Sequence, residues 1–150
     1  MKQKVSDYIA DFIARWGIQD IFTVTGGGAM HLNDAFGHHK KLHCTYQHHE
    51  QACAMAAEAY ARLENKMAAV CVTTGPGATN AITGVLGGWM DSIPMVIFSG
   101  QARYATTVPA SGLPLRSMGV QECNIVPVVT PLTKYAHMVV HPEDIRYHLE

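Results

Sequence analysis

The sequence predicts an α/β fold built on a parallel sheet with helices on both faces. Three observations carry the prediction. Short β-prone runs alternate with helix-compatible runs from Ile21 to Ser99. The first of them ends in a glycine turn ahead of its helix, and the same strand, turn, helix grammar then repeats. Strands joined through helices are parallel, and right-handed crossovers lay those helices over both faces.

Each element follows from local chemistry. Val5, Tyr8, Ile9, Phe12, Ile13 and Trp16 recur at helical spacing, and Gly17 supplies the residue best suited to a left-handed cap. Ile21 to Val24 is a short strand that stops at Thr25-Gly26-Gly27-Gly28, and Ala29 to Phe36 reads as a short helix. His43 to Gln47 and Ala68 to Thr73 are the next strands, followed by helices over Glu50 to Leu63 and Ala78 to Met90. Pro94 to Ser99 is a fourth strand. From Gly100 to Gly119 the pattern gives way to a stretch with Pro109, Gly112 and Pro114, longer than the connections of compact domains, which predicts a mobile, functional loop. Val120 to Val129 fits either state, Leu132 to Val140 reads as a strand, and Pro142-Glu143-Asp144 opens a helix that Glu150 cuts short. That uncapped last helix implies a domain truncated at its carboxyl end.

Composition excludes several classes of function. A chain of 150 residues with 48% hydrophobic and 15% charged residues is a globular domain with one core. Eleven basic and twelve acidic side chains nearly cancel, and no basic run exceeds Lys40-Lys41, so nucleic acid is not an expected partner. No apolar run reaches the ~20 residues that span a bilayer, so no membrane partner is expected, and the amino terminus does not read as a signal peptide. Cys44, Cys53, Cys71 and Cys123 lack a CxxC pair, which argues against zinc and for a reducing, cytoplasmic setting. The nine histidines include His38-His39 and His48-His49, but no Asp, Glu or Cys recurs at ligand spacing, so they read as surface or loop residues and no metal ligand is assigned.

The chemistry-bearing residues gather at strand ends. In open parallel sheets, ligands bind beyond the carboxyl ends of the strands. Thr25 to Gly28 follows the first strand, Glu50 the second, Thr74-Gly75-Pro76-Gly77 the third and Gly100-Gln101 the fourth, so four loops face one rim. Each has an ordinary reading on its own. The glycine run permits the positive φ and close approach that an oxyanion needs, yet it lacks GxGxxG and the Lys-Ser/Thr of a P-loop and reads equally as a tight turn. Glu50 in a helix's first turn is favoured by the macrodipole alone. The alanines of Ala52 to Ala61 suit close helix packing and are also good helix formers. Gly75-Pro76-Gly77 is equally a strand-to-helix turn.

In combination the words say more. His49-Glu50-Gln51-Ala52 leading to Met55-Ala56-Ala57-Glu58-Ala59-Tyr60-Ala61-Arg62, then Thr74-Gly75-Pro76-Gly77-Ala78-Thr79-Asn80, then Met90-Asp91-Ser92-Ile93-Pro94 and Gly100-Gln101, resembles the amino-terminal pyrimidine-binding domain of thiamine-diphosphate-dependent enzymes. The likeness runs along most of residues 5–140 and is nearest to the acetolactate-synthase and pyruvate-oxidase branch. Three departures mark it: Val24-Thr25-Gly26-Gly27-Gly28-Ala29 stands where that branch has Gly-Tyr-Pro-Gly-Gly-Ala, Val120-Gln121-Glu122 where it has Phe-Gln-Glu, and the loop from Gln101 to Gln121 is about eight residues longer than the likeness predicts.

The resemblance implies an acetolactate-synthase-like transferase or lyase that decarboxylates or ligates a 2-keto acid. Glu50 would hydrogen-bond the cofactor's aminopyrimidine N1′ in a dry pocket and share its proton, so that the cofactor carries the chemistry while the protein aims it. Gly27, Thr74, Pro76 and Asn80 would bind the cofactor with Glu50, and Gln121 would act at the substrate end. Diphosphate and Mg2+ belong in the family to a separate domain bearing Gly-Asp-Gly, a word absent here. This fragment alone is therefore expected to be inactive, the central and diphosphate-binding domains lying outside it, and FAD is left open. The expected assembly is a homodimer or tetramer, or a pairing with a diphosphate-binding subunit. The alternatives are another thiamine-diphosphate lyase or decarboxylase, and a non-catalytic assembly subunit of a split enzyme.

Overall fold

Strand order decides where a ligand can lie. A computed structural model describes residues 2–150 and holds one parallel sheet in the order β2-β1-β3-β4, formed by Asp20–Thr23 (β1), His43–Tyr46 (β2), Ala68–Val72 (β3) and Met95–Ser99 (β4). The chain leaves β1 toward one edge and returns past it to β3, so the order reverses between β1 and β3. In open parallel sheets, ligands bind beyond the strand ends at such a switch point.

The reversal also fixes the layers. With right-handed crossovers, connections running in opposite directions lie on opposite faces. Helices Val5–Arg15 (α1) and Met30–His38 (α2) accordingly share a core with Ile21, Ala69, Cys71, Val96 and Phe98, where the Phe36 and Phe98 rings lie 5.6 Å apart. Helices Glu50–Glu64 (α3), Pro76–Asn80 (α4) and Ile82–Met90 (α5) enclose a second core with Phe22, Val70, Val72, Met95 and Ile97. Every residue of β3 is buried, as a central strand covered on both faces requires.

The ends of the elements follow the sequence closely. Gly17 takes φ +87°, the left-handed conformation that stops α1. Gly84 lets α5 lie against α3, since a Cβ there would fall 2.5 Å from the Ala54 Cβ. The helix expected from Ala78 begins two residues earlier, at Pro76, and tightens at Ala81, whose N–H turns back to Ala78 O.

The carboxyl-terminal third departs from expectation. Leu132 to Val140 is not a strand: Thr130–Leu132 is a 3-10 turn, and the residues after it run without pairing to the sheet. Burial alternates from Tyr135 to Val140 as it would in a strand, but a strand also needs a partner's ladder, and this segment pairs with neither edge of the sheet. The segment from Gly100 to Gly119 is not featureless either. It holds a 3-10 turn at Tyr104–Thr106 and the single helical turn Val108–Ser111 (α6), with Thr107 buried between them. Val126–Val129 (α7) and Ile145–Leu149 (α8) complete the chain, α8 packing on α1. Among the described residues no helix is long and apolar enough to cross a membrane.

Candidate functional site

The loops beyond β1, β3 and β4, the start of α3 and the segment around Gln121 meet at the carboxyl end of the sheet. Glu50 is the first residue of α3, whose amino terminus is capped by His49, with Nδ1 accepting the Gln51 N–H at 3.2 Å. A helix start favours a carboxylate there. Glu50 Oε2 accepts a hydrogen bond of 3.0 Å from Asn80 Nδ2 at the end of α4, thirty residues away in sequence. Oε1 accepts none among the described residues and faces the first turn of α4: a Cβ built on Gly77 would lie 3.2 Å from it. The negative charge of Glu50 joins burial, the larger cause, in pushing the Cys53 thiol up to about 11.

The turn after β3 is shaped by close approach. Gly75 has φ +58° and abuts the Gln121 carbonyl, leaving no room for a side chain. Thr74 is buried, and its hydroxyl lies 2.8 Å from Gln101 Oε1 and 3.2 Å from Gln121 O. Gln101 in turn donates to Cys123 O at 2.8 Å and accepts the Ala102 N–H. Gln121, the sequence's candidate for the substrate end, is exposed with φ +56°, a left-handed backbone uncommon outside glycine, and such residues cluster at functional sites.

The glycine run after β1 works differently from expectation. None of Gly26, Gly27 and Gly28 has positive φ. Gly26 and Gly28 are needed because the Thr73 and Thr74 side chains press on them, with Gly28 N–H bonded to Thr73 Oγ1 at 3.0 Å. Gly27, the residue singled out from the sequence, has open space where a Cβ would stand and begins a 3-10 turn. The run is thus a packing surface for the β3 turn.

One residue escaped the sequence reading. Glu122 accepts three backbone N–H bonds, from Val108 at 2.7 Å, Met118 at 2.9 Å and Gly119 at 3.1 Å. The Val108 bond foremost, with those of Gly119 and Met118, holds its carboxyl below the usual range against the opposing effect of desolvation. The separation of fourteen positions between Val108 and Glu122 hid this link, and the sequence signal was limited to Glu122's place beside Gln121.

The histidines sit at the surface with local partners: His38 with Asp34, His39 with Asp11 and His43 with Asp20. Among the described residues no three His, Cys, Asp or Glu side chains form a cluster suited to a metal ion. Arg103 and Arg116 are exposed on the long loop and make no ion pair among the described residues.

Glu50 therefore offers one fixed and one open carboxylate oxygen beside a glycine-lined wall. That donor set fits a planar nitrogen heterocycle able to present an N–H to Oε1. Comparison with known proteins points the same way. Residues 3–128 match the family described as thiamine pyrophosphate enzyme, N-terminal TPP binding domain, thiamine pyrophosphate being another name for thiamine diphosphate. The chain is 41% identical over 129 residues to the acetolactate synthase large subunit of Buchnera aphidicola subsp. Schizaphis graminum, covering 86% of this chain and 21% of that protein. It is 32% identical over 140 residues to the Lactococcus lactis large subunit (93% and 23%), and 32% identical over 146 residues to the chloroplastic acetolactate synthase of Arabidopsis thaliana (95% and 20%). It spans about a fifth of the length of these relatives. With the fold and the match over most of its length in agreement, this chain belongs to the N-terminal TPP-binding domain family of thiamine pyrophosphate enzymes.

Proposed function

We propose that this chain is the pyrimidine-binding half of an acetolactate-synthase-like, thiamine-diphosphate-dependent enzyme that decarboxylates or ligates a 2-keto acid. The observation that carries the reading is Glu50: Oε2 is tied to Asn80 while Oε1 is left open over the Gly75-to-Gly77 turn. When bound, thiamine diphosphate supplies an acidic thiazolium carbon and the electron-accepting ring that loss of carbon dioxide requires.

The chain's own residues would orient and tune that group. Glu50 Oε1 would take and return a proton at the pyrimidine ring, and Asn80 would keep the carboxylate from swinging away. Pro76 and Gly77 would wall the ring, with Thr74 fixing the turn beneath them and Gln121 at the substrate end. Gly27 would contribute its open backbone face. Arg103 and Arg116 would meet the carboxylate of the keto acid from the long loop, which would close over the site.

Diphosphate and Mg2+ would be held by another domain or subunit. Assembly as a homodimer or higher oligomer is supported by the large apolar side chains exposed on α3 and α5, namely Met55, Leu63, Leu86, Trp89 and Met90. A cytoplasmic location belongs to the same reading, supported by four free cysteines.

The test is Glu50→Gln in the complete enzyme. An amide cannot share the proton, so exchange of the cofactor's C2 hydrogen should slow by about 10²–10⁴-fold with the fold intact by circular dichroism. Exchange at the wild-type rate would remove Glu50 from this role.

A further inference from the structure

We propose that Glu122 is a positioning residue for Gln121: its carboxylate ties the 102–119 segment into a closed loop and so holds its neighbour in the left-handed backbone that sets the Gln121 carbonyl against Thr74 and Gly75. Three consecutive residues are anchored at this point, each by a different element. Gln121 O meets the Thr74 hydroxyl after β3, Glu122 gathers the amides of Val108, Met118 and Gly119, and Cys123 O accepts from Gln101 after β4. The Glu122 N–H closes the ring by donating to Gly119 O at 3.1 Å.

The two carboxylate oxygens divide the work. Oε1 holds the start of α6, fourteen residues back, and Oε2 holds Met118 and Gly119, which lead directly into Gln121. Glu122 makes no ion pair among the described residues, so backbone amides alone balance its charge. An ionised carboxylate accepts at every lone pair, whereas a carboxamide would aim N–H at N–H on one side. Without the anchor, the segment leading into Gln121 loses its fixed path, and the uncommon φ at Gln121 loses what imposes it.

The functional part of this inference rests on the reading given above that Gln121 serves the substrate end. The experiment compares the ¹⁵N-labelled chain with its Glu122→Gln and Glu122→Asp variants by amide hydrogen exchange. Glu122→Gln should speed exchange at Val108, Met118 and Gly119 together by about tenfold or more, move the Gln121 and Thr74 resonances, and leave Val70 and Cys71 in β3 protected. Glu122→Asp, which keeps the charge on a shorter arm, should restore part of the protection. Unchanged protection at the three amides, or its loss with Gln121 and Thr74 unmoved, overturns the proposal. Should Glu122→Gln fail to fold, Glu122→Asp and acidification of the wild-type chain supply the same comparison.

In the complete enzyme with pyruvate as the 2-keto acid probe, Glu122→Gln should raise KM at an unchanged half-saturation by thiamine diphosphate. A KM that stays fixed while the Gln121 resonances move overturns the link to substrate. Absence of cofactor-dependent turnover in the wild-type enzyme would instead refute the proposed function and leave the amide comparison standing.

Discussion

Replacing Gly84 with alanine puts one methyl group at the tightest point between α3 and α5. Its Cβ would lie 2.5 Å from the Ala54 Cβ and 2.8 Å from the Met55 backbone nitrogen, against about 3.5–4.0 Å for carbon atoms at their best separation. Ala54 is fully buried and the nitrogen belongs to the α3 backbone, so neither rotates aside and the helices must part by about 1 Å. Such overpacking against backbone falls at the upper end of its range, about 3 kcal/mol. Alanine's better helix propensity returns about 1 kcal/mol, leaving about 2 kcal/mol. For a domain of this size that corresponds to a drop in Tm of about 4–8 °C. The strain also reaches the site, because Asn80 lies one turn before Gly84 and meets Glu50 at the start of α3. Separation of the helices should lengthen that bond and weaken cofactor binding in the complete enzyme. Thermal melts followed by circular dichroism read the first effect and thiamine diphosphate titration the second. Gly87→Ala is the internal control: its Cβ would meet only the Glu58 carboxylate, 3.0 Å away at the end of a flexible side chain, so its Tm should hold or rise. If Gly84→Ala melts at or above the wild-type temperature, close helix packing does not set the site's geometry.

Two further outcomes are expected. The Glu122 carboxyl is held low by the Val108, Gly119 and Met118 amides, so the stability it adds is complete above the unfolded-state pKa of about 4.3 and is lost as pH falls through its depressed folded value; the Met118 and Gly119 amide signals should titrate together on the acid side, and persistence of that titration in Glu122→Gln would show that another group controls them. Burial pushes the Cys71 thiol up to about 12 and the Cys53 thiol to about 11, and raises the half-buried Cys44 thiol too, so iodoacetamide at pH 8 should label Cys123 first in the folded chain and Cys53 and Cys71 only after unfolding; native labelling of Cys71 as fast as Cys123 would contradict the burial of β3.

What the sequence determined by itself is everything that depends on neighbours along the chain. The spacing of Ile9, Phe12 and Ile13 set the helix α1, the left-handed freedom of Gly17 ended it, and the repeat of strand, turn and helix placed Glu50 and Gly75 at strand ends before any contact was known. Because right-handed crossovers leave few topologies for such a pattern, the layers were legible too. Glu50 could be named because its surrounding residues form a family word, not because an acidic residue at a helix start is unusual.

The tertiary structure alone decided which residues meet. Asn80 reaches Glu50 across thirty residues, and Glu122 reaches Val108 across fourteen, through pairings that no local period encodes. Strand order made the glycine run after β1 a surface for Thr73 and Thr74, where the sequence left a tight turn and an oxyanion contact equally open, since only the adjacency of β1 and β3 brings those side chains over it. Leu132 to Val140 reads as a strand and never becomes one, because a strand is completed by a partner's hydrogen bonds and this segment pairs with neither edge of the sheet. Local propensity is a property of the chain, whereas a ladder, a clash or a shared proton is a property of two segments, and the fold chooses the second segment.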